Sequence, residues 1–62
     1  MKLVTKKDIM CRLWIHNGDE RKYLLPTGTY TPKGTDGGIK WRVVYNNLDL
    51  EVIENRDTYV IY

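Results

Sequence analysis

Residues 39–50 read IKWRVVYNNLDL. Apolar residues alternate with polar ones before the two asparagines and again after them. Such alternation puts one set of side chains on a single face of a strand. Asn46-Asn47 supplies the reversal, because asparagine tolerates the positive φ that a two-residue type I′ turn needs at both central positions. In that turn, facing residues have numbers summing to 93. Tyr45 then faces Leu48, Val43 faces Leu50 and Trp41 faces Val52, all on one side. On the other side Arg42 faces Glu51 and Val44 faces Asp49. A slip of one residue would drive charges into the apolar set, so turn and pattern specify the same register.

Downstream, ENRD is a polar turn and TYVIY a third strand. With Asn55-Arg56 as the turn, Tyr59 falls opposite Val52 and Ile61 opposite Leu50. The expected buried face is Ile39, Trp41, Val43, Tyr45, Leu48, Leu50, Val52, Tyr59 and Ile61. Each such side chain contributes ~1.5–3 kcal/mol when fully buried.

Upstream, IMCRLWIH alternates with Ile9, Cys11, Leu13 and Ile15 on one side. Met10, Arg12, Trp14 and His16 occupy the other. NGDE is a turn signal and RKYLL the returning strand. A three-residue loop pairs Leu13 with Tyr23, and a four-residue loop pairs it with Leu24. KLVT near the start fits a short extra strand. Between the halves, PTGTYTPKGTDGG holds both prolines and four of the five glycines. It reads as a long loop, extended around Thr31 because Pro32 follows that threonine.

No stretch places apolar residues at helical spacing, so an all-β chain is expected. Five or six short strands fit a small antiparallel barrel or two packed sheets. An SH3-like barrel is the first choice, as a fold-level analogy that carries no function.

Sixty-two residues make one small domain. Such a chain buries only about 60% of its unfolded surface. Disulfides, a metal site or association are the usual supports. Cys11 is the only cysteine and His16 the only histidine, which excludes an internal disulfide and a four-ligand zinc site. No apolar run approaches the ~20 residues of a membrane span, and no signal peptide is recognisable. A single free thiol makes the cytoplasm the expected location. The chain begins with Met and carries no tag, as expected of a complete natural protein. Short stand-alone β proteins are frequent products of phages and mobile elements, an association of size and class rather than of any residue.

Residues 1–42 hold nine Lys/Arg against four Asp/Glu, and residues 43–62 hold Arg56 against four carboxylates. The basic part suits an anionic partner. Cross-strand pairing of Arg42 with Glu51 accounts for part of the asymmetry more simply.

Catalysis needs positioned acids, bases, nucleophiles or metals. Cys11 and His16 lie an odd number of positions apart on one strand and so point to opposite faces. Cys11 reads as a core residue and His16 as an exposed one beside the turn. The carboxylates Asp19, Glu20, Glu54 and Asp57 sit at turns. GTYTPKGTDGG lacks phosphate-loop spacing and precedes a strand where such loops precede a helix. A non-enzymatic protein without cofactor or metal is expected.

The outward side of the first hairpin is the candidate surface, joined by Tyr23 or Lys22 according to register. Its mixture of Trp, Tyr, Met and Arg is the mixture enriched at protein interfaces. The expected partner is a protein, bound through Arg12, Trp14 and Tyr23 with Tyr30 and Lys33 of the long loop. Nucleic acid is the alternative, with aromatics stacking on bases and cations on phosphates. The competing reading puts Trp14 in the core. TYVIY at a sheet edge also suits pairing with the N-terminal strand or with a second subunit.

Overall fold

A computed structural model describes all 62 residues. Eight strands form two antiparallel sheets: β1 (Lys2–Thr5), β2 (Ile9–Leu13), β3 (Tyr23–Leu25), β4 (Gly28–Tyr30), β5 (Gly34–Asp36), β6 (Lys40–Tyr45), β7 (Leu48–Ile53) and β8 (Thr58–Ile61). One sheet has the order β4-β1-β8 and the other β3-β2-β7-β6-β5. The sheets do not close into a barrel. No helix long and apolar enough to cross a membrane is present.

The β6–β7 hairpin has the register that the alternation requires, from Tyr45↔Leu48 through Val43↔Leu50 and Trp41↔Val52 to Lys40↔Ile53. Asn46 and Asn47 have φ of 50° and 62°, as a type I′ turn demands. Its inner face supplies Trp41, Val43, Leu50 and Val52, each almost fully buried. Leu3, Cys11 and Leu25 complete the core. The Trp41 indole N–H donates to Glu54 Oε1 at 3.0 Å, satisfying its one polar group.

The C-terminal strand departs from expectation. β8 pairs with β1 and not with β7, in the register Thr5↔Thr58, Val4↔Tyr59, Leu3↔Val60 and Lys2↔Ile61. The turn is Arg56-Asp57, bracketed by an Asn55↔Thr58 bridge. It sends the chain away from the hairpin and on along β1. Thr58 and Val60 stand opposite the buried Thr5 and Leu3, so Thr58 is buried and Val60 packs against the core, while Tyr59 and Ile61 face outward. Ile39 is likewise exposed, because it lies in the loop that joins β5 to β6.

Residues 26–38 contain two strands rather than one long loop. β4 pairs with β1 and β5 with β6. Gly37 and Gly38, with φ of 70° and 74°, make the tight link between β5 and β6. The first hairpin also differs from both expected registers. Cys11, not Leu13, lies opposite Tyr23, and Leu13 pairs with Leu50 of β7. Asn17-Gly18 does turn the chain, with φ of 41° and 85°. The strands stop well short of that turn, so residues 14–22 form a wide loop.

β1 and β2 are two halves of one bent strand, as are β4 and β3 opposite them. At the corner, residues 6–8 of one lie against residues 26 and 27 of the other, a bulge that bends the pair. Asp8 pins it by accepting the Thr27 backbone N–H at 2.8 Å and its hydroxyl at 3.0 Å. These bonds, the backbone one first, hold the Asp8 carboxyl below its usual range.

Two buried threonines face each other beside this corner. The Thr5 hydroxyl accepts the Gly28 N–H at 3.0 Å and donates toward Pro26 C=O at 3.2 Å. The Thr58 hydroxyl is equally buried and has no partner. Opposite effects are expected from one substitution. Thr5→Val leaves a buried N–H without its acceptor and should cost ~1–3 kcal/mol. Thr58→Val removes an unsatisfied hydroxyl at nearly constant shape and should raise stability by up to ~1–2 kcal/mol. Denaturant midpoints of the two variants check this, and a loss at both positions would show that Thr58 has a partner in solution.

Candidate functional site

The strands β1–β2 and β7–β8 run past each other in a single register. Lys2↔Ile61 at one end and Leu13↔Leu50 at the other belong to the same ladder. Lys6 extends the first part by donating its N–H to Asp57 C=O at 2.7 Å, and Trp14 the second by donating to Asp49 C=O at 2.9 Å. Between these parts, residues 7–11 and 52–56 do not pair with each other. The ribbon parts there like an eye. Each side keeps its other neighbour, β2 through β3 and β7 through β6.

An open cleft of about 660 Å³ occupies this eye, lined by Met10, Arg12, Lys22, Glu51, Ile53 and Asn55 among others. Met10 and Ile53 are exposed, although both are large and apolar. Cys11 borders the cleft but is itself buried, at 3% exposure. Burial, reinforced by the negative charge of Glu51 and offset in part by Lys22, pushes its thiol up to about 11. At neutral pH it is a protonated, poorly nucleophilic side chain.

Glu51 is the carboxylate at the centre of the outer face. It is 7% exposed, yet it sits on the outward side of β7 because Arg12 covers it from β2 and His16 from the following loop. Arg12 Nη2 lies 3.8 Å from Glu51 Oε1 and His16 Nε2 lies 3.8 Å from Oε2, both too long for hydrogen bonds. Arg42 is its partner in backbone register, as the alternation implies. The Arg42 guanidinium instead reaches diagonally to Asp49, with two bonds of 3.1 Å. The diagonal neighbour wins because it offers a two-pronged geometry. No cluster of three or more metal-ligating side chains occurs.

The five nominated residues do not converge. Arg12 and Trp14 share the outer face, since Trp14 continues the β2–β7 ladder two residues beyond Arg12. Trp14 is half-buried and lies outside the group that packs on the core. Tyr23 turns the other way. It is level with Cys11 and packs against the core, which leaves Lys22 at the cleft. Tyr30 also points inward, with its hydroxyl donating to Pro26 C=O and its ring meeting Tyr45 edge-on at 6.0 Å. Lys33 is exposed but precedes β5, three strands and roughly 14 Å across the sheet from β2. His16 is half-buried against Glu51 rather than fully exposed, with its Nδ1 lacking a partner.

Comparison with protein-family models, with curated proteins and with solved structures gave no match to this chain.

Proposed function

We propose that this chain is a non-enzymatic binding module that takes a protein segment on the outer face of its five-stranded sheet. The observation that supports this most is the parting of β2 from β7. It leaves strand backbone beside an open cleft whose rim carries the exposed Met10 and Ile53, with Trp14 further along β2. Apolar and aromatic anchors around a recess, with charges at the edge, are what protein contacts use. Adaptor, inhibitor and regulator all fit such a module. The cations of this face favour protein over nucleic acid. Arg12 and Arg42 both lie against carboxylates, so their charge is already compensated.

The revised contact set is Met10, Arg12, Trp14 and Ile53. A Met10→Ser, Trp14→Ala double variant should unfold at the wild-type midpoint and lose capture of the partner retained by the wild-type chain from its own host. Full capture by the folded double variant would overturn the assignment of this face. Titration with a single-stranded oligonucleotide separates the alternative. Binding at low salt that weakens steeply as salt rises would replace the protein partner by a nucleic acid.

A further inference from the structure

The two sheets expose four edges: β3 and β5 on the larger, β4 and β8 on the smaller. Three carry the residues that discourage strand addition. β3 lies between Arg21-Lys22 and Pro26, β4 between Pro26 and Pro32, and β5 follows Pro32-Lys33 and contains Asp36. β8 has none. Residues 58–62 read TYVIY, without a charge or a proline.

The outward backbone groups of β8 follow from its pairing. Lys6 N–H bonds to Asp57 C=O, and bonded pairs recur at every second residue of an antiparallel ladder. Val4/Tyr59 and Lys2/Ile61 are therefore the bonded pairs between β1 and β8. Val60 aims its N–H and its C=O the other way, where no strand pairs with β8. Thr58 aims the same way and uses both groups on Asn55, at 3.2 and 3.1 Å, so the free edge begins at Tyr59.

We propose that this edge pairs with the same edge of a second copy of this chain, antiparallel about a two-fold axis at Val60. The segment is its own complement in that arrangement. Val60 exchanges two hydrogen bonds with Val60 of the second copy. Tyr59 stands opposite Ile61 of that copy, and the reverse, in the closer non-bonded pairs where side chains meet best. Aromatic against β-branched is a favourable cross-strand pair, and no like charges face each other. Tyr59 and Ile61, now 39% and 52% exposed, would form one continuous apolar stripe across the joined sheets. The lysine beside it, Lys6, lies over its own Tyr59 ring at 5.3 Å and leaves the edge clear. The result is a six-stranded sheet of order β4-β1-β8-β8-β1-β4. Its interface is small, so the dimer is concentration-dependent.

Sedimentation velocity from micromolar to millimolar protein tests this. The wild-type chain should pass from monomer to dimer across that range, with the Val60 amide gaining protection from exchange as it does. Ile61→Lys places a charge on the exposed face of the edge and should weaken the dimer about tenfold or more. Tyr59→Lys charges the other member of the cross-strand pair, opposite Ile61 of the second copy, and should weaken it likewise without touching the ladder to β1. Together the variants keep the test decisive if one of them folds poorly. A wild-type chain that stays monomeric at millimolar concentration overturns the proposal, as does a dimer that survives in the folded variants.

Discussion

Leu50→Ala is expected to leave a large fraction of the chain unfolded at 37 °C. Leu50 is fully buried in β7, the central strand of the larger sheet. Its neighbours in register are Val43 on one side and Leu13 on the other, both held by backbone pairing. The site cannot collapse around a smaller side chain without moving two strands. Such truncations cost ~2–5 kcal/mol. A domain of this length is stable by roughly 3–9 kcal/mol in total, so the loss is comparable to the whole. Val44→Ala, one strand away on the outer face and 43% exposed, should cost no more than ~0.5 kcal/mol. Urea unfolding followed by tryptophan fluorescence measures both. Similar losses at the two positions would mean that the inner and outer faces are wrongly assigned.

The second large effect is expected at the Asn46-Asn47 turn. Both residues hold positive φ, and a β-branched side chain there meets its own backbone carbonyl. Each such residue costs ~1–2 kcal/mol. The double change to valine should therefore destabilise the domain by about 2–4 kcal/mol, although neither side chain is buried. Asn47→Gly should act in the other direction by a few tenths of a kcal/mol, because glycine takes that conformation without strain. If two valines are tolerated at the wild-type midpoint, the turn is not type I′ and the hairpin register is open to revision.

The hairpin was legible because two independent signals agree in it. Trp41, Val43, Leu50 and Val52 alternate with charged or exposed residues, and the turn chemistry selects the same pairing. TYVIY offers no such agreement. Four of its five residues are apolar or aromatic, so alternation does not choose between Thr58-Val60 and Tyr59-Ile61 as the inner set. The choice falls to the partner strand: folding back on β7 would put Tyr59 beside Val52, whereas pairing with β1 puts Thr58 and Val60 beside the buried Thr5 and Leu3. β4 and β5 were hidden for another reason. GTY and GTD are three residues each and open with glycine, and GTD ends in aspartate, so the strand preference of Thr and Tyr is too short and diluted a signal. They are strands because β1 and β6 present edges to them, which is tertiary information.

The candidate surface was legible in half. Alternation along β2 placed Met10, Arg12 and Trp14 outward, and the structure puts them there. Tyr23 was misplaced because the loop from residue 14 to 22 is longer than its Asn17-Gly18 turn implies. The central position of Glu51 left no trace in the sequence. Its near neighbours are Arg12 of β2 and His16 of the loop after it, about forty residues earlier, and nothing in local spacing announces that β2 would lie beside β7.

The shared ladder of β1–β2 with β7–β8 also sets the order in which the chain can fold. Strands β6 and β7 meet across two residues, whereas Lys2 and Ile61 meet across almost the entire polypeptide. Closing so wide a loop costs chain entropy before any contact repays it. The ribbon therefore completes last, around a hairpin already in place. Until then Leu3, Leu25 and the inner side of the hairpin remain wet, so refolding should be slow for a protein of this size, with its rate limited by the meeting of its two distant ends.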